Sequence, residues 1–546
     1  MDHLPYRPLA MSRRALIGGV GASLLSTGLH ARGMANPVVE TASGKLRGGM
    51  EANGTLVFRG IPYALVPARF RAPEPATPWA GIRDATLFGP SCPQPAATVA
   101  GSPEILALFG STLPMPAVAT DEACQVLNVW TSTLSGPKRP VLFWIHGGGF
   151  ESGAGSQSTY WGDGLAATGE AVVVSINHRL SAFGHLYLAE LGGAAYADSG
   201  MAGMLDIVAA LRWVRDNIAA FGGDPGNVTI FGQSGGGAKV ATLLAMPAAK
   251  GLFHRAICQS GTLVKGLSPE QATTVALAYL DELGIARDRL AAMETLPASH
   301  LVAALAKVGS LAAPRNRRLA PVVDGRNLPH SPFDPVAPLI SRDVPLIIGC
   351  TTGEATIIGG LPSDFALTPE QFEGRIAAAL SLTPQQAAAL ATAARADMPH
   401  ASVPDLFFRI FSDSLFGQAA ALCADRKTDQ GGAPVYAYLF DWEALALDGK
   451  YRAFHGIEHP FVFRHLASAT GLAAGPEARP LEEAISQAWL SFAHSGDPNH
   501  ARMPRWEPYD AVTRPTMMFQ TESHLAHNPF PHLRAAAQAL PARFAL

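Results

Sequence analysis

For its length this chain is poor in charge and in cysteine. Asp, Glu, Lys and Arg make up 16% of 546 residues, and cysteine occurs five times. The 41 Lys and Arg against 44 Asp and Glu leave a formal charge of −3, with no block of one sign. Nucleic-acid binding needs a basic patch or stripe, so the charge pattern gives no electrostatic case for such a partner. Five cysteines over this length do not make a disulfide scaffold. No stretch beyond the amino-terminal segment reaches the ~18 consecutive apolar residues of a membrane span. Repeats, low-complexity tracts and Pro/Ser linkers are also missing. Length alone suggests roughly three or four domains, but nothing in the pattern separates them, and with 48% hydrophobic residues one large domain can bury a substantial core.

Against that background, Gly232-Gln233-Ser234-Gly235-Gly236 stands out. The apolar run Val228-Thr229-Ile230-Phe231 precedes it and the helix-prone Ala238-Lys239-Val240-Ala241-Thr242-Leu243-Leu244 follows. Strand, G-x-S-x-G, helix forces a serine onto a sharp turn with its Oγ exposed and its backbone at a helix N-terminus, which makes Ser234 a candidate nucleophile. Upstream, the apolar run Val141–Ile145 leads into His146-Gly147-Gly148-Gly149-Phe150. Side-chain-free N–H groups there can approach a developing oxyanion. A serine also needs a base, and the base a carboxylate. Glu354 follows the strand-like run Pro345–Gly349, and His455 lies beside a glycine in a loop-like stretch.

Phe58-Arg59-Gly60-Ile61-Pro62-Tyr63-Ala64, Glu122 to Trp130, Asn177-His178-Arg179-Leu180, Phe221-Gly222-Gly223-Asp224-Pro225, Gly251 to Ile257 and Phe454-His455-Gly456 resemble the type-B carboxylesterases, the cholinesterase-like branch of the α/β-hydrolase fold. The likeness runs from about Val38 to Phe519. It implies an α/β fold with a large, mostly parallel central sheet flanked by helices, and helical insertions forming a lid. It also implies a triad of Ser234, Glu354 and His455, an oxyanion hole from the N–H groups of Gly148, Gly149 and Gly235, and Ser260 and Gln233 as polar neighbours of the triad. A disulfide between Cys92 and Cys124 and the ion pairs Arg69–Glu122 and Arg179–Asp206 follow from the same likeness. No metal or cofactor is needed. The chain departs from the family at Gln233, where Glu is frequent, and at Gly235, where Ala is frequent. It also has a single acid, Glu122, before Cys124, and a shortened segment after Tyr63.

Met11-Ser12-Arg13-Arg14-Ala15-Leu16-Ile17, a mildly apolar stretch to Leu29 and small residues near Gly33-Met34-Ala35 read as a twin-arginine export signal over residues 1–35, with translation starting at Met1 or Met11. Residues 36–546 then form one domain, soluble and periplasmic or secreted. Cys258 and Cys350 sit on strand-like runs and read as buried thiols, whereas the state of Cys423 stays open. Strands are expected within Val38–Phe58 and at Val141–Ile145, Ala171–Ile176, Val228–Phe231, Arg255–Gln259, Pro345–Gly349 and Val435–Phe440, with a crossover helix over Met204–Phe221. Residues 269–308 and 368–397 read as the helical lid.

Two competing motifs fail on physical grounds. His455-Gly456-Ile457-Glu458-His459 matches H-x-x-E-H, but a zinc site of that kind needs both histidines on one helix, and Gly456 and Pro460 oppose it. Gly232 to Lys239 nearly matches a phosphate-binding loop, but Ala238 stands where lysine is required. The expected function is hydrolysis of uncharged carboxylic esters through an acyl-enzyme. The alternative from another class is a non-catalytic cholinesterase-like binding protein. Between Cys92 and Cys124 the only aromatic is Phe109, and Gln233 is neutral, so a quaternary ammonium finds neither aromatic face nor carboxylate there. Sequence does not decide the natural ester or the oligomeric state.

Overall fold

The computed structural model describes residues 36–95, 119–308, 318–444, 446–469 and 477–540. The chain divides into Met1–Asn36 and a compact unit, Pro37–Leu546. The export-signal reading and Phe109 therefore lie outside the described residues.

The unit is built on one sheet of eleven strands: β1 Gly49–Met50, β2 Leu56–Pro62, β3 Val126–Thr131, β4 Arg139–Ile145, β5 Val172–Ile176, β6 Gly223–Gln233, β7 Arg255–Gln259, β8 Leu346–Thr351, β9 Val435–Phe440, β10 Pro515–Phe519 and β11 His524–His527. Their order in space is β11-β10-β9-β8-β7-β6-β4-β5-β3-β2-β1. From β5 through β4 and β6 to β10 every pairing is parallel. The strands at both margins pair antiparallel. A small separate sheet joins Val38–Thr41 and Gly44–Arg47, within the stretch where amino-terminal strands are expected, to Ile82–Asp84, which lies beyond it.

Strand β4 shows why the middle of the sheet reads as continuous apolar sequence. Its side chains alternate between faces, Val141, Phe143 and Ile145 joining one apolar layer and Leu142 and Trp144 the other, and all are buried. Each layer is closed by helices. The crossover helix α2, Ala202–Asn217, follows the short α1, Ser181–His185, and places Ile207, Leu211 and Val214 against the first layer. Helix α3, Gly235–Leu243, follows β6 directly, and α4, Ala478–Ser495, covers the second layer through Leu481, Ile485, Trp489 and Phe492. The strand expected from Pro345 begins one residue later, since proline has no N–H to give to the ladder.

The expected insertions are helical, at Pro269–Glu282 and Ala298–Leu305 and at Pro369–Leu380 and Pro384–Asp397. Each pair has its own apolar cluster. Arg179 and Asp206 form a bidentate, fully buried pair, at 2.8 Å from Nε and 2.6 Å from Nη2. Arg69 reaches Glu122 with Nε at 2.6 Å, but Glu122 is partly exposed.

The disulfide expectation is corrected. All five cysteines are buried free thiols, Cys92 and Cys124 included. These two share one apolar cluster, and the Leu180 N–H donates to Cys92 Sγ at 3.3 Å. The neighbouring Cys92 and burial hold the Cys124 thiol well above its ordinary pKa, so it stays protonated where it is.

Candidate active site

Ser234 sits where β6 ends and α3 begins, with φ 58° and ψ −127°. That backbone conformation is sparsely populated by non-glycine residues and persists only where the surroundings enforce it. Here the enforcement is close packing. A Cβ on Gly236 would lie 2.0 Å from the Ile145 carbonyl, and one on Gly261 would lie 1.9 Å from that of Ser234. The Ser234 N–H also donates to the Gln259 carbonyl at 2.8 Å. From Val228 to Met246 Ser234 is the one residue that is not buried; from Arg139 to Phe150 it is Gly148. Solvent reaches both runs at these two points.

The glycine loop after β4 is packed against the turn. A Cβ on Gly235 would come within 2.5 Å of Gly149 N, and Gly148 has φ +85°, open chiefly to glycine. No backbone acceptor engages the Gly148 or Gly149 N–H among the described residues, so both are available to a bound oxygen.

Glu354 and His455 are in contact. Glu354 occupies the turn after β8, fully buried, and accepts the Thr351 N–H on Oε1 at 2.8 Å. Its Oε2 accepts a short hydrogen bond from His455 Nδ1. That bond fixes the tautomer and leaves Nε2 as the acceptor. Phe416 stacks on the His455 ring at 4.9 Å. Gln233, next to the serine, places its amide Nε2 3.1 Å from His455 Nε2. In this resting arrangement Ser234 Oγ makes no hydrogen bond to His455 among the described residues, a link that commonly tightens only with substrate bound. The Ser260 hydroxyl, expected near the triad, is buried and has no hydrogen-bond partner among the described residues, while the Ser260 N–H donates to the Gly349 carbonyl at 2.8 Å.

The other acid of this region has a different fate. Glu458 is buried, accepts from Gln259 Nε2 at 2.8 Å and meets the Tyr438 hydroxyl at 3.0 Å. Desolvation raises its pKa to about 8, so it is a neutral acid near pH 7. His459 heads a helix of its own, His459–Phe463, with its ring edge-on to Trp144 and Tyr160, and burial lowers its pKa to about 3. His455 lies outside that helix, so the two histidines of the H-x-x-E-H run do not share a helix face. Sequence reasoning missed two features, the stacking of Phe416 on His455 and the complete burial of Lys239 beside the glycine loop. A lone charge inside the otherwise apolar stretch of α3 was the available signal for the second.

The carboxylesterase family profile matches residues 35–535. The chain belongs to the carboxylesterase family. It is 36% identical to the para-nitrobenzyl esterase of Bacillus subtilis over 512 residues, 91% of this chain and 97% of that protein. It is also 36% identical to the phenmedipham hydrolase of Pseudarthrobacter oxydans, over 87% of this chain and 93% of that one. Among solved structures, a carboxylesterase of Geobacillus stearothermophilus superposes with a TM-score of 0.78 at 39% identity, covering 91% of this chain and 99% of that chain. This carboxylesterase is thus an α/β-hydrolase, a serine esterase acting on carboxylic esters. The zinc and binding-protein alternatives are not favoured, since these relatives bear the names of ester-cleaving enzymes.

Proposed function

We propose that Ser234, His455 and Glu354 carry the hydrolysis through an acyl-enzyme. Ser234 Oγ attacks the ester carbonyl as His455 Nε2 takes its proton. The N–H groups of Gly148, Gly149 and Gly235 hold the oxyanion, and His455 then protonates the leaving alcohol. Water repeats the cycle on the acyl-serine and releases the acid. Glu354 orients His455 and stabilises its cation. The observation that carries this reading is the His455–Glu354 bond beside the one accessible residue of the strained turn.

The preferred esters in this proposal are uncharged. Gln233, the immediate neighbour of the serine, is neutral, so the residue next to the reacting centre offers a substrate cation no carboxylate. A burst of p-nitrophenol from p-nitrophenyl acetate, one equivalent per enzyme, tests the acyl-enzyme. A kcat/KM for 3,3-dimethylbutyl butyrate at or above that for butyrylcholine tests the preference, and a clear preference for the choline ester refutes it.

Export by the twin-arginine signal is the companion proposal. Arg13→Lys with Arg14→Lys is expected to hold the precursor in the cytoplasm, and unimpaired export of that variant contradicts it.

A further inference from the structure

Lys239 lies on the second turn of α3, five positions after Ser234, and is fully buried. No carboxylate pairs with it among the described residues. Its Nζ donates to the His146 carbonyl at 3.1 Å, and the Phe150 ring centroid is 5.5 Å away. An unpaired buried ammonium is costly, and replacing such a charge by an apolar side chain is often neutral or stabilising. Packing therefore gives no reason for a lysine at this position.

The glycine loop does give one. Three consecutive carbonyls are tied down. That of His146 accepts from Lys239, that of Gly147 from the His146 ring Nδ1 at 2.9 Å, and that of Gly148 from the Ser152 N–H at 3.0 Å. In a trans peptide the N–H points opposite to the preceding C=O, so each pinned carbonyl aims the next N–H the other way. The Gly147 and Gly148 carbonyls thereby set the N–H groups of Gly148 and Gly149. The Lys239 bond anchors the first plane of this series, and with it the backbone from which the His146 ring reaches Gly147.

We propose that Lys239 is a positioning residue for the oxyanion loop, its ammonium fixing the His146 carbonyl so that the Gly148 and Gly149 N–H groups are presented to the developing oxyanion. The proposal rests on the oxyanion-hole reading above. The groups facing Lys239 from its neighbours are His146 after β4, His178 after β5 and His185 on α1, with the rings of His146 and His178 stacked at 4.8 Å. Burial and the Lys239 charge push all three well down, His146 and His185 to about 3, so they stay neutral across the working range. Arg179, which also acts on His185, is locked to Asp206. Burial lowers Lys239 to about 7, so it is the group of this cluster that changes charge near neutrality.

The test compares Lys239→Met and Lys239→Gln with the parent enzyme, using p-nitrophenyl butyrate and an alkyl trifluoromethyl ketone, which forms a tetrahedral oxyanion on the serine. Expected for Met is a kcat loss of about 10- to 100-fold, below the 10²–10³ of deleting an oxyanion donor outright, with KM within about threefold. Ketone affinity should fall in parallel with kcat/KM. Gln, which can still donate without the charge, should fall between the two. The parent should lose kcat as pH rises through Lys239's titration, a limb the Met variant lacks. Unchanged kcat and ketone affinity in Met overturn the proposal; so does a rate loss accompanied by a matching rise in KM and a lower melting temperature, the mark of a merely structural lysine. Should Met not fold, the parent decides: ketone affinity that declines from pH 6 to 9 supports the role, and affinity flat over that range overturns it. Stoichiometric organophosphate labelling of Ser234 in the parent separates failure of this proposal from failure of the acyl-enzyme reading itself.

Discussion

At the scale of single residues, two buried acids close to one histidine are assigned opposite parts by their surroundings. Glu354 accepts a backbone N–H on one oxygen and the His455 Nδ1–H on the other. Glu458 is desolvated and carried up to about 8. Glu354→Gln is therefore expected to cost roughly 10³–10⁴ in kcat, because an amide cannot stabilise the imidazolium and admits the wrong tautomer. Glu458→Gln should stay within about tenfold of the parent. Steady-state kinetics of the two variants check this, and a reversed order contradicts the assignment. Stability supplies a second check. Between its unfolded value of 4.5 and about 8, Glu458 holds its proton in the folded enzyme and loses it on unfolding. The folded state then binds more protons, and stability falls as pH rises through that window. Glu458→Gln lacks the group, so its melting temperature relative to the parent should climb from pH 4.5 to 8 and level off above. Lys239 has the opposite sign. Its penalty is complete below about 7 and is relieved as pH rises toward the unfolded value of 10.5, so the parent should gain on Lys239→Met over that window, by on the order of 5 kcal/mol for a shift this large.

At the scale of elements, the catalytic geometry belongs to the ends of parallel strands. Ser234 follows β6, Glu354 follows β8, and the glycine loop follows β4, so three neighbourhoods of the sheet deliver the groups to one place. This much was legible in the sequence, because buried parallel strands read as unbroken apolar runs and a serine between glycines at such a strand's end has few structural uses. The sequence does not announce strands β3 and β10, nor the edge strand β11. The first shares its run with motif residues, and the second starts at a proline that marks a loop as readily as a strand edge. The side-chain network was less legible still. Phe416 and Lys239 meet His455 and His146 only through tertiary packing, and neither position has a spacing that announces it. The close approach of α3 to the glycine loop makes its own prediction. Gly236→Ala places a methyl group 2.0 Å from the Ile145 carbonyl, so the turn must open. A stability loss of roughly 1–3 kcal/mol, with a larger relative loss of kcat, is expected from thermal melts and kinetics; an unaffected variant means that the turn and the loop are not in register as described.

At the scale of the whole molecule, one sheet with two apolar faces supports the site, and buried ion pairs tie its elements together. Arg179–Asp206 is such a pair, joining the segment after β5 to α2. Arg179→Met leaves the buried Asp206 without its cation, holding only the N–H of residue 179 and Gln125 Nε2, and should cost about 3–5 kcal/mol in denaturant unfolding. The fold and the family are shared with many esterases. The claim special to this chain is that Ser234 forms the covalent intermediate, and the most direct test is mass spectrometry of the enzyme treated with diethyl p-nitrophenyl phosphate. One diethylphosphoryl group per chain is expected, located on Ser234, appearing in step with loss of esterase activity and abolished by Ser234→Ala, whose turnover should drop by ~10⁴ or more. A modification on another residue, or full inactivation with Ser234 unmodified, would contradict it.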